Sequence, residues 1–239
     1  MKFLQTLSDW SEVWALLIPL IVIIVSRPKE KQIRVLVWYV IIGFILNFAT
    51  TFMIEFRNLV PSWLYIDNMI NNNIVYNIHS MFRVLLFSWY IINIRQYQFT
   101  FFFKTFLVAY LVFIFINFTI FESPFFLSTR LFAAESIVLL IMCLFYFFRS
   151  IQDESQINWL KHPSFLVCAG ISLYEVITFF IFLFFYPLSQ KDPEFFVVTM
   201  RIYSITFVLL CILLSLAFYS SKKQQSGQIC ESWWNAGIN

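Results

Sequence analysis

The sequence predicts an all-α polytopic integral membrane protein with seven transmembrane helices. Three observations lead there. Of 239 residues, 61% are hydrophobic and only 12% are charged, where a soluble domain carries about 25% charged residues. Aromatic side chains make up 21% of the chain, 32 of them Phe. The apolar residues gather in seven runs long enough, or nearly so, to cross about 30 Å of hydrocarbon as helix. These runs fill residues 1–220, which therefore form one membrane domain, and leave a short tail at 221–239. With four Gly and seven Pro, little of the chain suits flexible linkers.

The first run, 11–26, is purely apolar only from Val13 to Val25, and Trp10 and Trp14 extend it as interfacial anchors. Its basic residues follow the apolar stretch and no small-residue cleavage site is evident, so it does not resemble a signal peptide. The second run covers 34–55. Between Phe56 and Asn73 lies the longest connection, with Trp63, Leu64, Tyr65, Ile66 and Met69 ahead of Asn71–Asn73. This reads as an interfacial segment ending in a polar turn that caps the third helix. The third run, 74–94, is the least usual. It contains "IVYNIHSMFRVLLFSWYII", with a histidine and an arginine in its interior. The remaining runs are 99–121, 129–148, 163–187 and 194–219. The other loops are short, so consecutive helices are antiparallel neighbours.

Orientation follows from the basic residues. Arg27, Lys29, Lys31, Arg34, Arg95, Lys104, Arg149, Lys161, Lys222 and Lys223 fall on one side, against Lys2, Arg57, Arg130 and Lys191 on the other. The positive-inside rule places the N-terminus outside and the C-terminus in the cytoplasm. The expected location is a cell inner membrane.

A charged side chain at the middle of a spanning helix costs about 2.5–3.5 kcal/mol on insertion scales, so such residues face the bundle interior. At 1.5 Å per residue, His79 lies roughly 8 Å and Arg83 roughly 14 Å below the outer face, Glu135 roughly 6 Å, Arg201 roughly 10 Å and Glu175 roughly 13 Å. Tyr76, His79 or Ser80, Arg83 and Tyr90 form one polar stripe at helical spacing. Ser136 stands beside Glu135, and Ser172 and Thr178 share the face of Glu175. Asn47, Thr50, Asn117 and Thr119 lie in the outer halves of the second and fourth helices. The candidate ligand-binding residues are therefore Tyr76, His79, Arg83, Glu135, Glu175 and Arg201, lining a polar cavity open or nearly open to the outside. The plainer alternative is structural: arginines paired with glutamates that lock helices together. A single helical histidine is also commonly a packing residue.

Other chemistries fit less well. A metal site needs three or four ligands at suitable spacing; His79, Glu135 and Glu175 lack any local ligand pair, and Arg83 would repel a cation. Ser80 and His79 are adjacent and point apart on a helix, and no Gly-x-Ser-x-Gly or Gly-rich phosphate loop occurs. The seventh run lacks the lysine that a retinal protein requires. Four scattered cysteines show no Cys-x-x-Cys and read as apolar filler. No basic-aromatic pattern suits nucleic acid. No cofactor and no enzymatic activity is expected. A small-solute or proton-coupled transporter is the main rival, although Pro19 is the only proline well inside a span and broken helices are the usual mark of a transport site.

Three segments, "NNNIVYNIHSMFRVLLFSWYI", "RLFAAESIVLLIMCLFYFFRSI" and "HPSFLVCAGISLYEVITFFIF", together resemble a family of small bacterial seven-helix membrane proteins of uncharacterised function. Roughly Leu17 to Lys223 is covered by the resemblance. It implies the seven-helix fold and, because such proteins are often encoded beside histidine kinases, a role in sensing with a signalling partner. His79 and Arg83 depart from the more acidic or apolar stripe expected there. The resulting functional expectation is a receptor-like sensor in the lipid bilayer. It would bind a small polar or anionic ligand, with Arg83 and Arg201 giving charge-assisted hydrogen bonds, and would signal through a partner protein. A scaffold held by internal ion pairs is the remaining alternative.

Overall fold

Each of the seven apolar runs forms a helix in the computed structural model, which describes residues 10–28, 30–56, 65–66, 69–70, 73–94, 100–152, 162–185 and 191–236. The helices are α1 (Ser11–Ser26), α2 (Lys31–Glu55), α3 (Asn73–Ile94), α4 (Thr100–Ile116, continued by a π-helical turn at Asn117–Phe121), α5 (Thr129–Gln152), α6 (Pro163–Leu183) and α7 (Pro193–Ala236). Five of them are long and apolar enough to cross a membrane: α2, Phe101–Phe121 of α4, α5, α6 and Glu194–Lys222 of α7. The α1 helix is apolar but shorter, with 16 residues. The α3 helix has 22 residues, and Asn77, His79 and Arg83 within it lower its apolarity. A two-residue antiparallel ladder, β1 (Tyr65–Ile66) with β2 (Met69–Ile70), lies in the α2–α3 connection. Its residues belong to the segment expected to be interfacial.

Local chemistry explains most of the boundaries. Arg27 ends α1 in the left-handed region, φ 49°, and its N–H returns to the Ile23 carbonyl at 2.9 Å; Pro28 then prevents continuation. Ser128 begins α5 by accepting the Leu131 N–H at 3.1 Å, the usual N-cap bond. Pro163 opens α6 at a position where its missing N–H costs nothing. The α7 helix does not stop at 219 but runs on to Ala236. Lys, Gln and Glu past Ser221 are good helix formers, and a single glycine there is tolerated. The tail expected at 221–239 is thus helical through Ala236, while the placement of the Trp233 and Trp234 side chains lies outside the described features.

Six helices pack as a closed circuit: α1 against α2, α2 against α3, α3 against α5, α5 against α6, α6 against α7, and α7 back against α1. The α4 helix lies outside the circuit, against α3 and α5. Leu16, Leu36, Val40, Val84, Phe87, Leu139, Met142, Ile171, Leu210 and Leu214, from all six circuit helices, fill the core. Among the described residues of α4, only Tyr110 and Asn117 are buried. Apolar side chains such as Ile24, Trp89, Phe101, Phe115, Ile120 and Ile205 cover the outside, as a lipid-facing surface requires. Gly170 lets α6 approach α7 closely, since a Cβ there would meet Leu210 and Leu213 at 3.2 Å. Small residues serve this purpose in membrane helix packing.

We call the end at which α1, α3, α5 and α7 begin the upper end. At the lower end, the Ser221 hydroxyl donates to Glu30 at 3.0 Å and Lys222 Nζ to the Val25 carbonyl at 3.2 Å. These bonds tie the lower part of α7 to the α1–α2 elbow. Gln32 also donates to the Asn93 carbonyl, joining α2 to α3.

Candidate functional site

The α3 helix carries its polar stripe into the centre of the circuit. Arg83, Ser80, His79 and Asn77 are all buried, because a guanidinium with no water around it must find its partners on other helices. Arg83 Nε donates to Glu135 Oε1 of α5 and lies 3.8 Å from Glu175 Oε1 of α6. Its Nη1 donates to the Tyr174 hydroxyl at 2.7 Å, and its Cζ sits 4.9 Å from the centre of that ring. Ser80 Oγ donates to Glu135 Oε2 at 2.5 Å. Ser136 Oγ lies 2.7 Å from Glu175 Oε2 and 3.0 Å from the Phe132 carbonyl. One arginine therefore joins α3, α5 and α6, and each carboxylate has its own serine.

The network extends upward. The Tyr174 hydroxyl donates to Tyr203 of α7 at 2.7 Å. Glu12 of α1 stands next to the Tyr203 hydroxyl and within electrostatic range of Arg83. Tyr76 lies beside Glu12 and the Thr50 hydroxyl. Tyr110 of α4 brings its hydroxyl near Ser80 and the Glu135 carboxylate. All these residues belong to the upper half of the bundle.

Of the six residues expected at the site, Arg83, Glu135 and Glu175 meet directly. His79, one turn above Arg83, instead stacks on Tyr39, with ring centroids 6.1 Å apart and planes 8° apart, and its Nε2 faces Gly43. Tyr76 is half-buried at the upper rim. Arg201 does not join them. It is exposed, because it lies two residues from Tyr203, and a two-residue step puts side chains on opposite sides of a helix. Thr199, Tyr203, Thr206, Phe207 and Leu210 form the inward stripe of α7. Nor do these groups line an open cavity: Arg83 is 2% exposed, and Glu135 and Glu175 are fully buried. The ion pairs themselves occupy the space.

No known family, curated protein or solved structure matches this chain.

Several participants escaped the sequence reading. Tyr174 adjoins Glu175 in sequence, the one signal it carries, and Glu12 lies between Trp10 and Trp14. Asn77 also has a structural role there. Its Nδ2 donates to the Pro124 and Phe126 carbonyls at 2.9 and 2.8 Å, and its Oδ1 accepts the Ser128 N–H at 3.2 Å. Asn117 and Ser128 bond Glu122 within the same loop. The α4–α5 loop is thereby fastened to α3 one and a half turns above Arg83. Among the described residues, no group of three or more His, Cys, Asp or Glu side chains is placed to hold a metal ion.

Chemically, the cluster is a buried, charge-dense junction of three helices. Among the described residues, Arg83 Nη2, Glu175 Oε1, the Thr178 hydroxyl and His79 Nε2 are buried without a hydrogen-bond partner. Such groups are costly to leave unmet.

Proposed function

We propose that this protein is a receptor-like membrane sensor whose responsive element is the Arg83 cluster. A small polar ligand arriving from the upper end, which the distribution of basic residues makes the outer one, exchanges internal bonds of Arg83 for contacts of its own. The helices then shift relative to one another. The observation that carries this reading is the buried arginine shared between carboxylates of two other helices, with donor and acceptor atoms left over. Output passes to a separate signalling protein, for which the family resemblance suggests a histidine kinase of a bacterial inner membrane.

A second reading, a proton-coupled carrier, draws on a different observation: three carboxylates (Glu12, Glu135 and Glu175) stand around one arginine. Purified protein in lipid nanodiscs, melted in the presence of small polar compounds, tests the first reading. It is supported when a compound raises the melting temperature, Arg83→Gln abolishes the rise, and the compound does not cross proteoliposome membranes. Flux that Glu175→Gln stops would replace it with the second.

A further inference from the structure

We propose that the Arg83 cluster is a proton-binding site in which Glu175 Oε2 holds the proton and donates it to Ser136 Oγ. This deepens the functional reading above and rests on it, since both take the cluster as the working site.

Hydrogen counting points to it first. Ser136 has one hydroxyl proton but two close acceptors, Glu175 Oε2 at 2.7 Å and the Phe132 carbonyl at 3.0 Å. If Glu175 were ionised, the single Ser136 proton would be shared between two acceptors. With a proton on Glu175 Oε2, both are hydrogen bonds: Oε2–H to Ser136 Oγ, and Ser136 Oγ–H to the Phe132 carbonyl.

Charge counting gives the same answer. Arg83 can neutralise one carboxylate, and Glu135 takes its Nε directly and also receives Ser80. Glu175 Oε1 stands 3.8 Å from that Nε with no hydrogen bond of its own. A second full negative charge buried in the bundle lacks compensation, and two nearby carboxylates do not ionise together readily. The groups that face Glu175 offer no other cation. They are Arg83 on α3, Glu135 and Ser136 on α5, Tyr174 on its own helix and Tyr110 on α4, with Tyr203 on α7 and Glu12 on α1 beyond Tyr174.

The full-length protein in nanodiscs at neutral pH would be studied by infrared spectroscopy in H2O and D2O, following the C=O stretch of protonated carboxyl groups. The wild-type protein should show such a band, and Glu175→Gln should remove it. Ser136→Ala should keep the band but shift it to higher frequency, because the acid loses its hydrogen-bond acceptor. Absence of the band in the wild-type protein, or its survival in Glu175→Gln, overturns the proposal. Ser136→Ala guards against a misfolded Glu175→Gln, since an unshifted band there also overturns it. A band that behaves as expected, in a protein that no small polar compound stabilises, supports proton binding and removes the receptor reading alone.

Discussion

Asn77 and Ser128 are joined side chain to main chain: the Asn77 carboxamide oxygen accepts the Ser128 N–H at 3.2 Å. The Asn77 amide at the same time holds the Pro124 and Phe126 carbonyls. Asn77→Ala removes three hydrogen bonds, each worth about 0.5–1.5 kcal/mol net. We expect a loss of about 2–4 kcal/mol in reversible unfolding from mixed micelles, with faster proteolysis in the 122–128 loop. Asn77→Asp keeps the acceptor but sets an oxygen against the Pro124 and Phe126 carbonyls, and should be at least as destabilising as Asn77→Ala.

Removing one partner of a buried ion pair strands the other, at a cost of about 3–5 kcal/mol. Arg83→Gln should show that loss in the same unfolding measurement. The triple substitution Arg83→Met, Glu135→Gln, Glu175→Gln removes the two carboxylates that pair directly with the arginine and should recover much of it. A triple variant no more stable than Arg83→Gln would contradict this account of the cluster.

Arg201 is the control. It is exposed and outside the network, so Arg201→Gln should change stability by no more than about 0.5 kcal/mol. It should also leave any ligand-induced rise in melting temperature intact. A loss comparable to that of Arg83→Gln would place Arg201 at the site after all.

Tyr174→Phe deletes the hydroxyl that accepts Arg83 Nη1 and donates to Tyr203. The guanidinium then has a second unpartnered donor, a penalty of about 1–3 kcal/mol. Tyr203→Phe leaves Arg83 with its Tyr174 bond and should cost less. The order of the two melting temperatures checks the direction of the chain.

At Gly170 a Cβ would already sit 3.2 Å from Leu210 and Leu213. Gly170→Leu forces α6 and α7 apart, and overpacking of this kind costs about 1–3 kcal/mol or more. Gly170→Ala should be milder, since Leu side chains can yield a few tenths of an ångström. Thermal melts of both variants would rank them.

The parts of this architecture governed by lipid were legible from the residues. The seven helices appear where the apolar runs lie, and Arg83, Glu135 and Glu175 meet because hydrocarbon offers them no alternative. Direction around a helix axis was not legible from depth. On α7 the polar residues Thr199, Tyr203 and Thr206 recur at helical spacing, on a face that Arg201 does not share, and depth alone does not register that difference. The exclusion of α4 from the circuit could not be foreseen: its Phe, Leu, Ile and Val suit a core position as well as a lipid-facing one. Glu12 showed a further limit. A carboxylate at the end of a span can turn to headgroups or to a neighbouring helix, and only the placement of Tyr203 decides between them.

The bonds from Ser221 to Glu30 and from Lys222 to Val25 give α7 two fixed points. Tyr203, at the cluster, lies 18 positions before Ser221 in one unbroken helix, a separation of about 27 Å. A rotation of the helix at the tyrosine would therefore be carried along rigid backbone to its contacts with the α1–α2 elbow at the lower end.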